Sequence, residues 1–200
     1  MMKNIAFLSM ILDHIGAYFL CQDIWFRVVG RIAIPLFSCL VLIGMTHTRS
    51  KIEYMKRVLV LGIATQIFYS EIDGGINEAI GLSIGMIILS IRDKKTRGFT
   101  ALFTSYLGIL SPLWMVGIQS KNQNIIVIGL SINYLKTGDW ITLLSIIIYP
   151  IIEKIYKRES QKKGTSKNKK NNNRLQKEFF YMAYLIQYIV ILGVKNWQSI

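Results

Sequence analysis

Asp13 and His14 interrupt the apolar run of residues 5–20, and Arg27 and Arg31 stand one helical turn apart in the apolar run that follows. Ionisable groups in membrane-grade sequence are costly to keep and mark a working site. Imidazole can take and return a proton near neutral pH, while guanidinium pairs with carboxylate or holds a developing oxyanion. Helix neighbours point about 100° apart, so Asp13 and His14 must each find partners on other helices. Arg27 and Arg31 share a polar stripe with Pro35 and Ser38. An Asp13–Arg27 or Asp13–Arg31 pair is the expected neutralising arrangement, leaving one guanidinium unbalanced for an anion. Pro35 deprives the Arg31 carbonyl of its usual partner, and Gly30 lets another helix approach closely, so a kinked helix is expected here. Counting about 14 Å of helix from Asn4 puts Asp13 and His14 near the bilayer midplane. The competing reading is packing, in which Arg–Asp pairs lock helices together and His14 is a satisfied donor.

Composition sets the medium for that chemistry. Of 200 residues, 52% are hydrophobic and only 18% charged, more apolar side chain than a soluble core of this size uses. The formal charge of +13 raises nucleic acid as a partner, but Lys and Arg fall between apolar runs and form no face interleaved with aromatics. No nucleic-acid partner is therefore expected. Cys21 and Cys39 are too far apart for a redox or zinc motif, and no metal is expected. The first apolar stretch is broken by Asp13 and His14 and lacks a small-residue cleavage site, so it reads as a retained span.

The elements that must position these groups are about seven to eight membrane-crossing helices in one all-α bundle over residues 1–200. Candidate spans are residues 4–20, 24–45, 57–70, 76–91, 99–118, 140–155 and 179–194, and residues 124–135 are apolar but short, read as a re-entrant or interfacial piece. Basic loops around Arg49–Arg57 and Arg92–Arg97, against acidic connections at residues 21–23 and 71–78, place the N-terminus in the cytoplasm. The stretch at about 157–177, rich in Lys, Asn, Ser and Gly, is expected to be a disordered basic cytoplasmic loop resting on anionic lipid.

Order, spacing and residue type together carry a resemblance. Lys3-Asn4, Ser9-Met10, Asp13-His14-Ile15-Gly16, Arg27, Gly30-Arg31, Pro35-Leu36-Phe37, Gly44, His47-Thr48-Arg49, Tyr54 and Arg57 resemble the TraX family over about residues 3–66. Lys177-Glu178-Phe179-Phe180-Tyr181 and Tyr184 resemble its closing segment, where the family tends to read Tyr-Pro-x-His and this chain has Tyr184-Leu185-Ile186-Gln187. Glutamine there can hydrogen-bond but cannot shuttle a proton.

The resemblance implies a multi-pass inner-membrane acetyltransferase that moves acetyl from acetyl-CoA to the N-terminal amine of a secreted or pilin-like peptide. On that reading His14 is the base, Arg31 or Arg27 stabilises the oxyanion and Asp13 orients them, while His47, Arg49, Lys51, Lys56 and Arg57 receive the phosphates of coenzyme A. A covalent acetyl-His14 intermediate and direct transfer are both compatible with it. Gln22, Asp23, Glu71, Asp73 and Glu78 would form an outer acidic rim for the cationic amine. Two alternatives stay open: a non-enzymatic assembly or immunity partner of a secreted peptide, and an O-acetyltransferase acting on an envelope sugar. A transporter would show an inverted repeat of spans, and none is visible in the sequence.

Overall fold

Long apolar runs close their backbone hydrogen bonds within one segment most simply as helices. The structure, a computed structural model, describes residues 2–20, 23–72, 75–161 and 186–194, and no strand occurs among them. The chain forms α1 (Met2–Tyr18), α2 (Ile24–Gly30), α3 (Ala33–His47), α4 (Lys51–Ile72), α5 (Glu78–Leu89), α6 (Lys94–Tyr106), α7 (Ser111–Ser120), α8 (Gln123–Thr137), α9 (Ile141–Leu144) and α10 (Tyr149–Gln161). A 3-10 turn at Ser145–Ile148 joins α9 to α10, and residues 186–194 are helical. Short polar side chains start many of these helices by accepting orphan N–H bonds: Asp23 for α2, Asn77 for α5, Asp93 for α6 and Asn122 for α8.

Close approaches fix the directions of the helices. Asp13 meets Gly30, and Gly16 meets Phe26, so α1 and α2 are antiparallel. Gly62 meets Ile80 and Thr65 meets Asn77, so α4 and α5 are again antiparallel, while Gly81 meets Ser111 and Gly85 meets Met115, so α5 and α7 run parallel. Gly117 lies on Ile126 and Gly129 on Leu113, so α8 reverses α7. The Ser105 hydroxyl donates to the Gly129 carbonyl at 2.6 Å, aligning α6 with α8. At the centre stands α7, in which every residue from Ser111 to Ile118 is buried.

Three expectations change. Residues 99–118 are not one span: α6 stops at Tyr106 and α7 starts at Ser111. The stop is a Schellman motif in which Gly108, at φ 90°, donates to Ser105 and Ile109 donates to Thr104. Pro112 then sits in the first turn of α7, where its missing donor costs nothing. Residues 124–135 belong to the 15-residue α8, about 22 Å long and antiparallel to α7. Four legs, α6, α7, α8 and α9–α10, therefore lie between Arg97 and Lys154, and the even number that keeps both at one end is preserved. Lastly, α10 carries helix to Gln161, with Lys157 paired to Glu153 at 2.7 Å; the rest of the expected basic loop lies outside the described residues.

Among the described residues, the run Ile24–His47 is the one long and apolar enough to cross a bilayer, with 24 residues at a mean hydropathy of 2.2. Outward-facing stripes are apolar on other helices too, with Val60, Ile63 and Ile67 on α4 and Phe99, Phe103 and Tyr106 on α6 all more than half exposed.

Candidate functional site

The site grows from the α1–α2 hairpin. Asp23 opens α2 by accepting hydrogen bonds from the Trp25 and Phe26 amides at 3.0 and 3.3 Å. Gly16 and Gly30 then let the helices touch: a Cβ on Gly30 would stand 2.2 Å from the Cβ of Asp13. Arg31 and Ile32 form the expected break, one turn ahead of Pro35, whose ring excludes the Arg31 carbonyl from the helix.

Arg27 Nε lies 3.7 Å from Asp13 Oδ1, and Arg31 Nη1 lies 3.9 Å from Asp13 Oδ2. These are ion pairs, too long for hydrogen bonds. Arg31 Nη2 reaches a second carboxylate, Asp139 Oδ2, at 2.5 Å. Asp139 sits in the turn after α8, where Gly138 adopts a left-handed φ of 72°. It also accepts a hydrogen bond from Thr142 Oγ1 at 2.7 Å. Burial acts to raise the Asp139 pKa, but the Arg31 charge and the Thr142 hydroxyl outweigh it and hold the carboxyl below its ordinary value.

Asp139 overturns the expectation of an unbalanced guanidinium, since two carboxylates face two cations. Sequence reasoning missed it because the partner is 108 residues away; its signal was a lone acid beside glycine in a turn between apolar helices. Arg31 Nε is buried and has no hydrogen-bond partner among the described residues, so one donor of the fork remains for a ligand.

His14 faces elsewhere on α1. Its ring packs against Tyr18 with centroids 6.0 Å apart and against Tyr188 at 5.2 Å, and Tyr188 makes an edge contact with Tyr69 at 5.8 Å. One turn earlier on α1, Met10 Sδ accepts from Gln187 Nε2 at 3.4 Å. Asp13, Arg27 and Arg31 thus form one cluster, and His14 sits beside it in an aromatic setting. The cluster lies five residues from the end of α1, closer to one end of the bundle than the midplane expected from counting.

The acidic rim does not survive as drawn. Glu78 turns inward and accepts from the Leu110 amide at 3.0 Å, the Ser111 amide at 3.1 Å and the Ser111 hydroxyl, closing the start of α7. Its carboxylate is also within electrostatic reach of Arg31. Asp23 is occupied as the cap of α2. Gln22, Asp73 and the side chain of Glu71 lie outside what is described.

The basic set gathers at the other end of α3, with His47 sixteen residues beyond Arg31, about 24 Å along the axis. His47 Nδ1 lies 2.8 Å from the Ile43 carbonyl and 2.9 Å from Thr46 Oγ1. Glu53 engages two neighbours, Lys56 Nζ at 3.2 Å through its side chain and Arg57 Nε at 3.1 Å through its carbonyl. Arg49 is exposed, and Lys51 lines a cavity.

The all-helical bundle, its outward apolar stripes and the bilayer-length apolar run Ile24–His47 are those of a membrane protein by class. Residues 1–152 match the TraX family model, described as TraX protein. The chain belongs to the TraX family. It is similar to the probable fimbrial assembly protein FimC, serogroup H1, of Dichelobacter nodosus, with 37% identity over 73 residues, 34% of this chain and 30% of that relative. The chain therefore spans under a third of that relative's length. No solved structure matches it.

Proposed function

We propose that this chain is a multi-pass membrane acetyltransferase acting on the N-terminal amine of a secreted or pilin-like peptide, with acetyl-CoA as donor. The observation that carries the reading is the Asp13–Arg27–Arg31 cluster on the α1–α2 hairpin, with His14 next to Asp13 along α1 and its ring turned to Tyr18 and Tyr188; catalysis requires that ring to swing toward the cluster. His14 takes the proton of the amine as nitrogen attacks the acetyl carbonyl, the C–N bond forms, and the C–S bond breaks to release thiolate, which is then protonated. Arg31 Nε supplies a donor to the oxyanion, and Asp13 and Asp139 hold the fork in place. The seven to eight spans and cytoplasmic N-terminus remain part of this proposal. The alternation of legs supports it by bringing the basic segments around Arg49–Arg57, Arg92–Arg97 and Lys154 to one end.

One structural demand follows. Leu36, Cys39, Leu113 and Trp114 fill the interior between the two ends of α3, so the donor's arm must part them to bring its thioester to His14. The deciding experiment is intact mass of secreted peptides from cells with the wild-type chain, without it, and with His14→Ala. The reading requires one acetyl group that disappears with the chain and with the variant, while membrane insertion is unchanged. Acetylation that persists in His14→Ala removes His14 as base.

The closed charge count favours a second reading, in which the cluster is structural and the chain serves assembly without catalysis, in line with the name of the fimbrial assembly relative. It requires His14→Ala to keep the assembly phenotype. Acetyl found on an envelope glycan in place of a peptide would move the acceptor to a sugar hydroxyl.

A further inference from the structure

The end of the bundle opposite the charge cluster holds a cavity of about 310 Å³ that the ion pairs do not explain. Leu42, Met45 and Leu89 form its apolar walls, and Lys51, Gln119 and Tyr156 bring polar groups to it from three further helices. Pocket volumes for small organic ligands begin near this size. It is large enough for a slender chain and too small for a nucleotide as well.

The electrostatics of the cavity divide such a ligand in two. Met45, Leu89 and Gln119 each lie within three residues of a helix end, on α3, α5 and α7 respectively. The C-terminal ends of three helices thus border the cavity, and a helix C-terminus carries partial negative charge. An anion is disfavoured there, and a neutral group that donates N–H or O–H is favoured. Lys51 differs, because it opens α4, where the N-terminal dipole and the ammonium both attract anions. Arg49 is exposed two residues earlier. The matching ligand has a narrow, amide- and hydroxyl-bearing arm and a phosphate at the arm's outer end.

We propose that this cavity receives the pantetheine arm of the acyl donor, with its phosphates at Lys51 and Arg49 and its nucleotide outside. The proposal rests on the coenzyme A-dependent reading above and adds Leu42, Met45, Leu89, Gln119 and Tyr156 to the donor site. It makes the cavity the docking position of the arm, from which the thioester must advance through the parted interior to reach His14 near the far end of α3.

The test uses the full chain in lipid nanodiscs and calorimetric titration with coenzyme A, phosphopantetheine, pantetheine and adenosine 3′,5′-bisphosphate. Met45→Trp fills the cavity and is expected to weaken coenzyme A and phosphopantetheine by about tenfold or more, equivalent to about 1.4 kcal/mol, with the bisphosphate unaffected. Lys51→Gln is expected to weaken the two phosphorylated arms and leave pantetheine unchanged. If coenzyme A binds the wild type and Met45→Trp equally, the cavity assignment is overturned while the donor reading stands. If the wild type binds no coenzyme A, the donor reading itself is lost, and this proposal with it. A second measurement covers misfolding of the tryptophan variant: in a Cys21→Ser background, Thr46→Cys is labelled with a charged maleimide, and coenzyme A is expected to slow labelling. Labelling at the same rate with and without coenzyme A overturns the assignment.

Discussion

Gly30→Ala tests the hairpin that builds the charge cluster. The added Cβ would lie 2.2 Å from Asp13 Cβ and 2.5 Å from Asp13 Cα, and real Cβ contacts do not fall below 3.0 Å. Because the obstacle is α1 backbone, no rotamer change relieves it. The helices must separate by at least the 0.8 Å between 2.2 and 3.0 Å. Overpacking of this kind costs about 1–3 kcal/mol, and alanine returns up to about 1 kcal/mol in helix propensity. The difference is a net loss of up to about 3 kcal/mol, about 1–2 kcal/mol at the middle of the overpacking range. The Asp13 ion pairs already sit at 3.7 and 3.9 Å, so separation weakens them as well. Reversible SDS unfolding in mixed micelles reads the stability. Gly138→Ala is an informative companion: nothing lies within 4 Å of its Cβ, and its cost is the backbone strain of a φ of 72°. If Gly30→Ala is as stable as wild type while Gly138→Ala is not, the α1–α2 contact described above is wrong.

Other expectations follow from the same geometry. Asp139→Asn removes one of the two carboxylates on Arg31 and should cost about 1–2 kcal/mol, less than for a fully buried pair, whereas Arg27, with one long contact, should cost less when replaced by Gln; unfolding titrations rank the two. The depressed Asp139 pKa makes a signed prediction: its contribution to stability is complete above its ordinary value of 3.8 and is lost as pH falls through the lower folded value. Unfolding midpoints measured from pH 6 to pH 2 should therefore drop below about pH 4 in the wild type, with a smaller drop in Asp139→Asn. Ser105→Ala breaks the buried bond to the Gly129 carbonyl and should cost about 0.5–1.5 kcal/mol, with exposed Thr100→Ala near neutral in the same unfolding assay. Glu78→Ala leaves the Leu110 and Ser111 amides without their acceptors and should cost about 1–3 kcal/mol, recovered only in part by Glu78→Gln, whose single oxygen accepts from one amide while its NH2 faces the other.

The local features of the hairpin were legible along the chain. Acid and arginines in consecutive apolar runs must pair because a lone charge is costly there, and Gly30 and Pro35 announce a close approach and a break through their own stereochemistry. Gly108 and Pro112 also carried a readable stop and start, yet the continuous hydropathy of residues 99–118 concealed it. Hydropathy reports the medium, not the direction of the chain.

Sequence by itself determined what each residue must avoid: bare charge in hydrocarbon, a Cβ at a helix crossing, a proline deep inside a helix. Those are one-residue or one-helix constraints. Only the tertiary structure decided who answers them, bringing Asp139 from a distant turn to Arg31, turning Glu78 inward to cap α7, and setting His14 among tyrosines instead of guanidiniums. Such pairings depend on the order in which helices stack. Many acids satisfy one arginine equally well in the abstract, and packing selects the one that arrives at the right depth.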